Sequence, residues 1–257
     1  MPPSKAPVPE ISHKEALDIL KAYRRLLQSI PHALSREDLA LIHKAFKQAA
    51  DAHRHQRRRS GEPYIFHPIA VATIVATQMS LDATAIASAL LHDVVEDTDV
   101  TLEDIEREYG PTIARIIDGL TKISGISDSN VSVQAENFRK MLITISNDIR
   151  VILIKLADRL HNMQTMGAMI RQKQQKIASE TLYIYAPLAH RLGLYNIKTE
   201  MEDLSLKYTE PEAYENIVRL LRESDQAQKA YIARFIAEVK DMLDREDLDY
   251  TITGRNK

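Results

Sequence analysis

Ala89-Leu90-Leu91-His92-Asp93-Val94-Val95-Glu96-Asp97 is the run on which the reading of this chain turns. An apolar stretch suited to a buried helix ends directly in four polar groups able to ligate a metal. Read as one helix, residues four apart share a face, so His92 stacks over Glu96 and Asp93 over Asp97. Burying several ionisable groups is costly unless a cation or a substrate compensates. A metal site suited to hydrolysis is the natural explanation. The competing reading is a helix C-terminus with solvated charges, and this run alone does not separate the two.

Two further runs tip the balance. In Phe66-His67-Pro68 a histidine stands between an aromatic residue and a helix-starting proline. In Ile154-Lys155-Leu156-Ala157-Asp158-Arg159-Leu160-His161-Asn162-Met163, Asp158 falls within an otherwise apolar helical pattern. Aspartate is a poor helix former and is seldom buried without a partner. His67, His92, Asp93 and Asp158 together offer two imidazoles and two carboxylates. That donor set suits Mn²⁺ or a similar divalent ion, with Zn²⁺ and Fe²⁺ left open by ligand type. The helical face of Asp158 continues through Asn162 and Thr165 and, about a turn on, to Met169. This ridge offers a metal ligand, an amide, a hydroxyl and an apolar surface, which a nucleotide lying along a helix needs.

Composition limits the alternatives. The 257 residues make one large domain or two smaller ones, and 44% hydrophobic residues with only 7 glycines favour a compact, helix-rich fold. A net charge of −2 argues against a general nucleic-acid binder. Without cysteine, any metal is held by histidines and carboxylates. The proline-rich N-terminus lacks the apolar core of a signal peptide, and no apolar run reaches bilayer-spanning length. A soluble cytoplasmic protein is expected.

Apolar residues recur at three- and four-residue spacing almost throughout, which predicts helices at roughly 14–28, 36–55, 68–79, 82–98, 101–108, 111–123, 134–147 and 149–168. Ser35 before Glu37-Asp38, and Thr101 with Asp104, carry helix-capping chemistry. Residues 1–11 read as a flexible N-terminus and Ser124–Ser132 as a flexible loop. Helical spacing resumes from Lys173 and includes a long amphipathic helix through Tyr214, Ile217, Leu221, Tyr231, Phe235, Val239 and Leu243. Tyr250-Thr251-Ile252-Thr253-Gly254 alternates like the start of a strand that is cut short.

The constellation resembles the metal-dependent HD phosphohydrolase superfamily, an all-α helical-bundle fold, and its flanking words narrow the likeness to the RelA/SpoT homologues. Those bifunctional enzymes make and destroy the alarmone (p)ppGpp in the bacterial stringent response. The matching words are Arg58-Arg59-Ser60-Gly61-Glu62-Pro63-Tyr64-Ile65-Phe66-His67-Pro68, His92 to Asp97, Asp118-Gly119-Leu120-Thr121-Lys122, Leu156 to Met163, and Tyr185-Ala186-Pro187-Leu188-Ala189-His190-Arg191-Leu192-Gly193. The resemblance covers about residues 14–257. Departures are small: Arg59 stands where lysine is common, Gln164 where arginine is common, and Ile123-Ser124-Gly125 varies the stretch after Thr121-Lys122.

The resemblance implies a (p)ppGpp hydrolase domain over 12–170, a helical linker over 171–247, and the truncated start of a synthetase domain over 248–257. It implies hydrolysis of ppGpp or pppGpp to GDP or GTP and pyrophosphate at one divalent ion, Mn²⁺. His67, His92, Asp93 and Asp158 are the implied ligands, and Glu96 and Asp97 orient water and shuttle a proton. Arg58, Arg59, Ser60, Lys155, Asn162 and Thr165 are substrate-side candidates. Arg58 is suited to stacking on the base and Arg59 to neutralising phosphate. His161 reads as a structural histidine beside the site, and His13, His32, His43, His53, His55 and His190 as surface or core residues. Control by contact with the missing synthetase domain is the further expectation. The alternatives are another HD nucleotide phosphohydrolase, or a regulatory fragment that binds nucleotide without cleaving it.

Overall fold

The computed structural model describes residues 11–124 and 148–244. The expected flexible N-terminus lies almost entirely outside these residues. The loop after Ser124, the helix at 134–147 and the terminal strand lie outside them altogether. Among the described residues every extended element is helical, and the one isolated antiparallel bridge joins Arg57 to Pro63. The all-α expectation holds.

The chain divides into two compact units, residues 1–205 and 206–257. The first opens with α1 (His13–Ser29), α2 (Arg36–Ala52), α3 (Phe66–Gln78), α4 (Ala83–Leu91) and the short α5 (Val94–Asp97). It continues with α6 (Leu102–Tyr109), α7 (Pro111–Ser124) and α8 (Ile149–Thr165). Helix starts are written in the sequence. Ser12, Ser35 and Thr101 form capping boxes with Glu15, Asp38 and Asp104, satisfying backbone N–H groups that have no helical partner. Asp82 accepts from the Ala85 N–H at 2.8 Å.

Helix α4 is the centre of this unit. Its residues, Ala-Thr-Ala-Ile-Ala-Ser-Ala-Leu-Leu, are all buried except Thr84, as expected of a helix without a polar face. Its small side chains let α2, α3, α7 and α8 pack closely around it. The central helix therefore delivers His92 and Asp93, at its C-terminal end, into the interior.

One expectation is altered here. Instead of a continuous helix over 82–98, α4 stops at Leu91, His92 and Asp93 form a turn, and α5 restarts at Val94. The His92 ring N–H donates to the Ala89 carbonyl at 2.8 Å, taking up an acceptor that a continuing helix would use. The Asp93 carbonyl then accepts the Asp97 N–H at 2.9 Å and starts the next turn.

After α8 come a 3₁₀ turn (Met166–Ala168), α9 (Arg171–Glu180), a π-helical turn (Thr181–Tyr185), α10 (Ala186–Arg191) and α11 (Tyr195–Thr209). Tyr185, Ala186, Leu188, Ala189, Ile197 and Met201 join the same buried cluster as α3, α4 and α8. The second unit holds α12 (Pro211–Leu243), with Ile217, Leu220, Leu221 and Met242 exposed. Among the described residues no helix is long and apolar enough to cross a membrane.

The placement of α4 predicts the effect of a core deletion. Leu90 is fully buried, so Leu90→Ala should lower unfolding free energy by roughly 2–5 kcal/mol, the range for deleting a packed leucine. Denaturant titration checks this; a loss well below 1 kcal/mol would remove α4 from the centre of the core.

Candidate metal centre and cleft

Three elements bring the donors together. His67 comes from the first turn of α3, where Pro68 is tolerated because N–H groups there lack helical partners. His92 and Asp93 come from the turn between α4 and α5, and Asp158 from the middle of α8. Nε2 of His67 lies 3.5 Å from Oδ2 of Asp93 and 3.2 Å from Oδ1 of Asp158. Nε2 of His92 lies 3.0 Å from Asp93 Oδ2 and 3.9 Å from Asp158 Oδ1. Donor atoms of His67, His92 and Asp93 fall within 4.8 Å of one another, a grouping that could hold a metal ion.

The surroundings fix which ring nitrogen faces inward. Nδ1 of His92 donates to the Ala89 carbonyl, which leaves the Nε2 lone pair for the centre. Despite its nearness to Asp93, that Nε2 is buried and has no partner in hydrogen-bonding geometry. A buried polar atom left unpaired in a native site calls for an explanation, and a cation accepting its lone pair provides one. Nδ1 of His67 faces Nδ1 of His161 at 2.7 Å. With His67 donating, its Nε2 is likewise free to ligate. Two imidazoles and two carboxylates so arranged fit a divalent metal ion.

The buried carboxylates are balanced by positive charge and protons, and the proton on His92 is one that a bound metal would displace. Burial works against ionised Asp93 and Asp158. The positive charges beside them, chiefly His92 for Asp93 and Lys155 for Asp158, win and hold both carboxyls well below the usual range. Burial likewise opposes a charged His92, yet Asp93 and then Asp158 lift it to about 9. Burial, followed by the charges of His67 and Arg58, lowers His161 to about 3, so it is a neutral acceptor for its neighbours. Burial and the Asp93 charge raise the Tyr64 phenol, which stays protonated as a donor.

The centre opens into a cleft of about 450 Å³, lined on the metal side by Tyr64, His67, Asp93, Glu96, Lys155 and Asp158. Asn162 of α8 and Met169 beyond its end also line it, together with Lys173, Lys176, Glu180 and Tyr185. Arg58 reaches across to α8, donating to Asn162 Oδ1 at 2.9 Å and Thr165 Oγ1 at 3.2 Å. The Asn162 amide donates in turn to Asp158 Oδ1 at 2.6 Å.

Residues 45–195 match the family described as HD domain. The chain belongs to the HD domain family. All four donors lie within the matched stretch. Among curated relatives it is 44% identical over 225 residues to the guanosine-3′,5′-bis(diphosphate) 3′-pyrophosphohydrolase of Vibrio cholerae, covering 87% of this chain and 32% of that protein. It is 42% identical over 236 residues to the bifunctional (p)ppGpp synthase/hydrolase SpoT of Escherichia coli K12, covering 91% and 34%. A GTP pyrophosphokinase of Streptomyces coelicolor is 43% identical over 239 residues, covering 93% and 28%. The chain spans about a third of the length of these relatives. This is an HD domain of RelA/SpoT type.

Within this HD domain the site residues expected from sequence are brought together unequally. His67, His92, Asp93 and Asp158 converge. Lys155 sits beside them with Nζ 3.0 Å from Asp158 Oδ2. Arg58, Asn162 and Thr165 form one hydrogen-bonded set. Glu96 lines the cleft, whereas Asp97 is linked to it through Tyr64, whose hydroxyl contacts Asp93 Oδ2 at 2.6 Å and Asp97 Oδ2 at 3.2 Å. Arg59 and Ser60 are exposed and do not line the cleft. Sequence reasoning missed Tyr64, although it stands inside the Arg58–Pro68 word, and the α9 wall. The i, i+3 spacing of Lys173 and Lys176 was the available signal for that wall.

Two variants follow from this geometry. Asp158→Asn should bind metal much more weakly while α8 stays folded; unchanged metal content by elemental analysis would remove Asp158 from the ligand set. Tyr64→Phe deletes the donor that orients Asp93, and should cost about 10–100-fold in metal affinity, the scale for losing a group that orients a ligand. Metal-titration calorimetry checks it, and wild-type affinity would leave Tyr64 as a packing residue.

Proposed function

We propose that this HD domain hydrolyses ppGpp and pppGpp to GDP or GTP and pyrophosphate. The observation that carries this reading is the buried, unpaired His92 Nε2, set among His67, Asp93 and Asp158 at the floor of a cleft flanked by arginine and lysine. The names of the Vibrio cholerae and Escherichia coli relatives support the substrate. Residues 12–170 carry the reaction in this proposal. Residues 171–247 link them onward, with α9 supplying one cleft wall.

His67, His92, Asp93 and Asp158 would hold one divalent ion, for which we propose Mn²⁺. When bound, such an ion supplies polarisation of the phosphoryl group and a lowered pKa for water. Glu96 and Asp97 take the proton from the attacking water and orient its oxygen. Arg58, Asn162 and Thr165 anchor the nucleoside end, and Lys155 neutralises charge beside Asp158. Arg59 and Ser60, on an exposed loop, meet the substrate from the solvent side. The new bond joins the water oxygen to the phosphorus on the ribose 3′ oxygen. The bond to that 3′ oxygen breaks, and the oxygen receives a proton. A synthetase domain is the proposed regulatory partner, in line with the bifunctional name of the Escherichia coli relative. We place the protein in the cytoplasm, with no nucleic acid or membrane as partner.

The direct test is pyrophosphate release from ppGpp by purified protein with Mn²⁺, abolished by a chelator and restored by adding the ion back. Absence of turnover with metal bound would overturn the reading. Glu96→Gln and Asp97→Asn should retain metal but slow turnover by roughly 10²–10⁴-fold, the scale for removing a proton-transfer group. Wild-type turnover in either variant takes that residue out of the chemistry.

A further inference from the structure

The loop that presents Arg58 is tied to a distant part of the chain. Arg57 and Glu15 form a two-pronged ion pair, Nη1 to Oε1 at 2.7 Å and Nη2 to Oε2 at 3.2 Å. Their side chains are only 19% and 28% exposed, so the pair is better shielded than ordinary surface pairs. The same Nη1 donates to the Gly61 carbonyl at 2.9 Å. That contact lies inside a tight loop closed by the Arg57–Pro63 bridge, with Arg58 N–H donating to Glu62 O and Gly61 N–H to Arg58 O, both at 2.9 Å. Gly61, at φ +90°, supplies the backbone conformation that the turn requires.

Glu15 is itself held in place. Its Oε2 accepts from the N–H and the hydroxyl of Ser12, both at 2.8 Å, as half of the α1 capping box. The hydrogen bond from Arg57, followed by those from Ser12, holds the Glu15 carboxyl down at about 2. The pair therefore stays ionised at any physiological pH and is a fixed clamp. From Arg57 the connection runs through the loop to Arg58, on to Asn162, and to Asp158 in the metal centre.

We propose that Glu15 and Arg57 are positioning residues that hold the Arg58–Ser60 loop in its substrate-anchoring conformation. The start of α1 then belongs to the nucleotide-binding apparatus, although no α1 residue lines the cleft. Arg57, unlike its neighbours Arg58 and Arg59, does not serve substrate in this proposal, because its guanidinium engages Glu15 and Gly61. The substrate side of this inference rests on the function proposed above; the loop side does not.

The test uses Glu15→Gln, Arg57→Lys and the double variant in the full chain, with circular dichroism and metal content as controls on folding. Hydrogen exchange at the Arg58 and Gly61 amides reads the loop directly. Both amides should exchange about tenfold faster in each single variant, the scale of one charge-assisted contact. The double variant should be no worse than the singles, since a coupled pair is lost only once. In turnover of ppGpp, KM should rise by roughly 5–10-fold while kcat stays within about twofold, the pattern of lost uniform binding. Wild-type exchange at both amides would overturn the proposal. So would faster exchange with unchanged KM, since the loop would then be held without consequence for binding. If the wild-type protein does not hydrolyse ppGpp, the functional reading fails on its own, and the exchange result still decides whether the clamp holds the loop.

Discussion

The structure is organised around the cost of placing charge in its interior. Asp93 and Asp158 are held ionised in a buried setting, which is tolerable only because positive charge and polar ring nitrogens converge on them. His67 approaches from α3, His92 from the end of α4, and Lys155 from one turn before Asp158 on α8. Take away any of these helices and a carboxylate is stranded. The convergence in turn requires a central helix that buries itself on all sides, and the alanine-rich α4 meets that need. A bulkier or more polar α4 would keep its neighbours apart and separate the donors they carry.

The turn at His92-Asp93 shows how a local break serves this arrangement. His92 itself keeps helical dihedrals, so its side chain leaves the backbone in the direction the helical rotation sets. By donating to the Ala89 carbonyl, the imidazole ends the helix and fixes its own tautomer in one contact. Asp93 then begins α5 and receives the Tyr64 hydroxyl, so two adjacent residues face the same centre, which an unbroken helix does not readily allow. His161 does for His67 what the carbonyl does for His92. Both inward-facing Nε2 atoms are thus set by partners outside the four-residue cluster.

What the sequence disclosed and what it hid follow from this. The four donors were legible because each is a polar residue in apolar surroundings, a mismatch that only burial with a partner resolves. The α8 ridge was legible because i, i+4 spacing fixes a face, and Asp158, Asn162 and Thr165 do share it. The break after Leu91 was hidden because a two-residue turn near helical dihedrals leaves apolar spacing almost undisturbed. Tyr64 was hidden because a tyrosine before a helix reads as packing, and its role depends on Asp93 and Asp97, about 30 positions on. The α9 wall was hidden because exposed lysines on a helix read as a solvated face until the fold shows what they confront.

The reach of Arg58 to Asn162, across 104 positions, ties the 57–63 loop to the histidine–aspartate cluster. Asn162 spends its amide on Asp158 and its carbonyl on Arg58, so it reports the state of one to the other. An arginine displaced by a ligand leaves that carbonyl free to meet the ligand, while the amide still holds the Asp158 oxygen. A ligand bound there as proposed would therefore exchange partners along the ridge without disturbing the Asn162–Asp158 contact. On the proposed function, a site that keeps its metal while its substrate comes and goes needs that separation, and a single asparagine between an arginine and an aspartate supplies it.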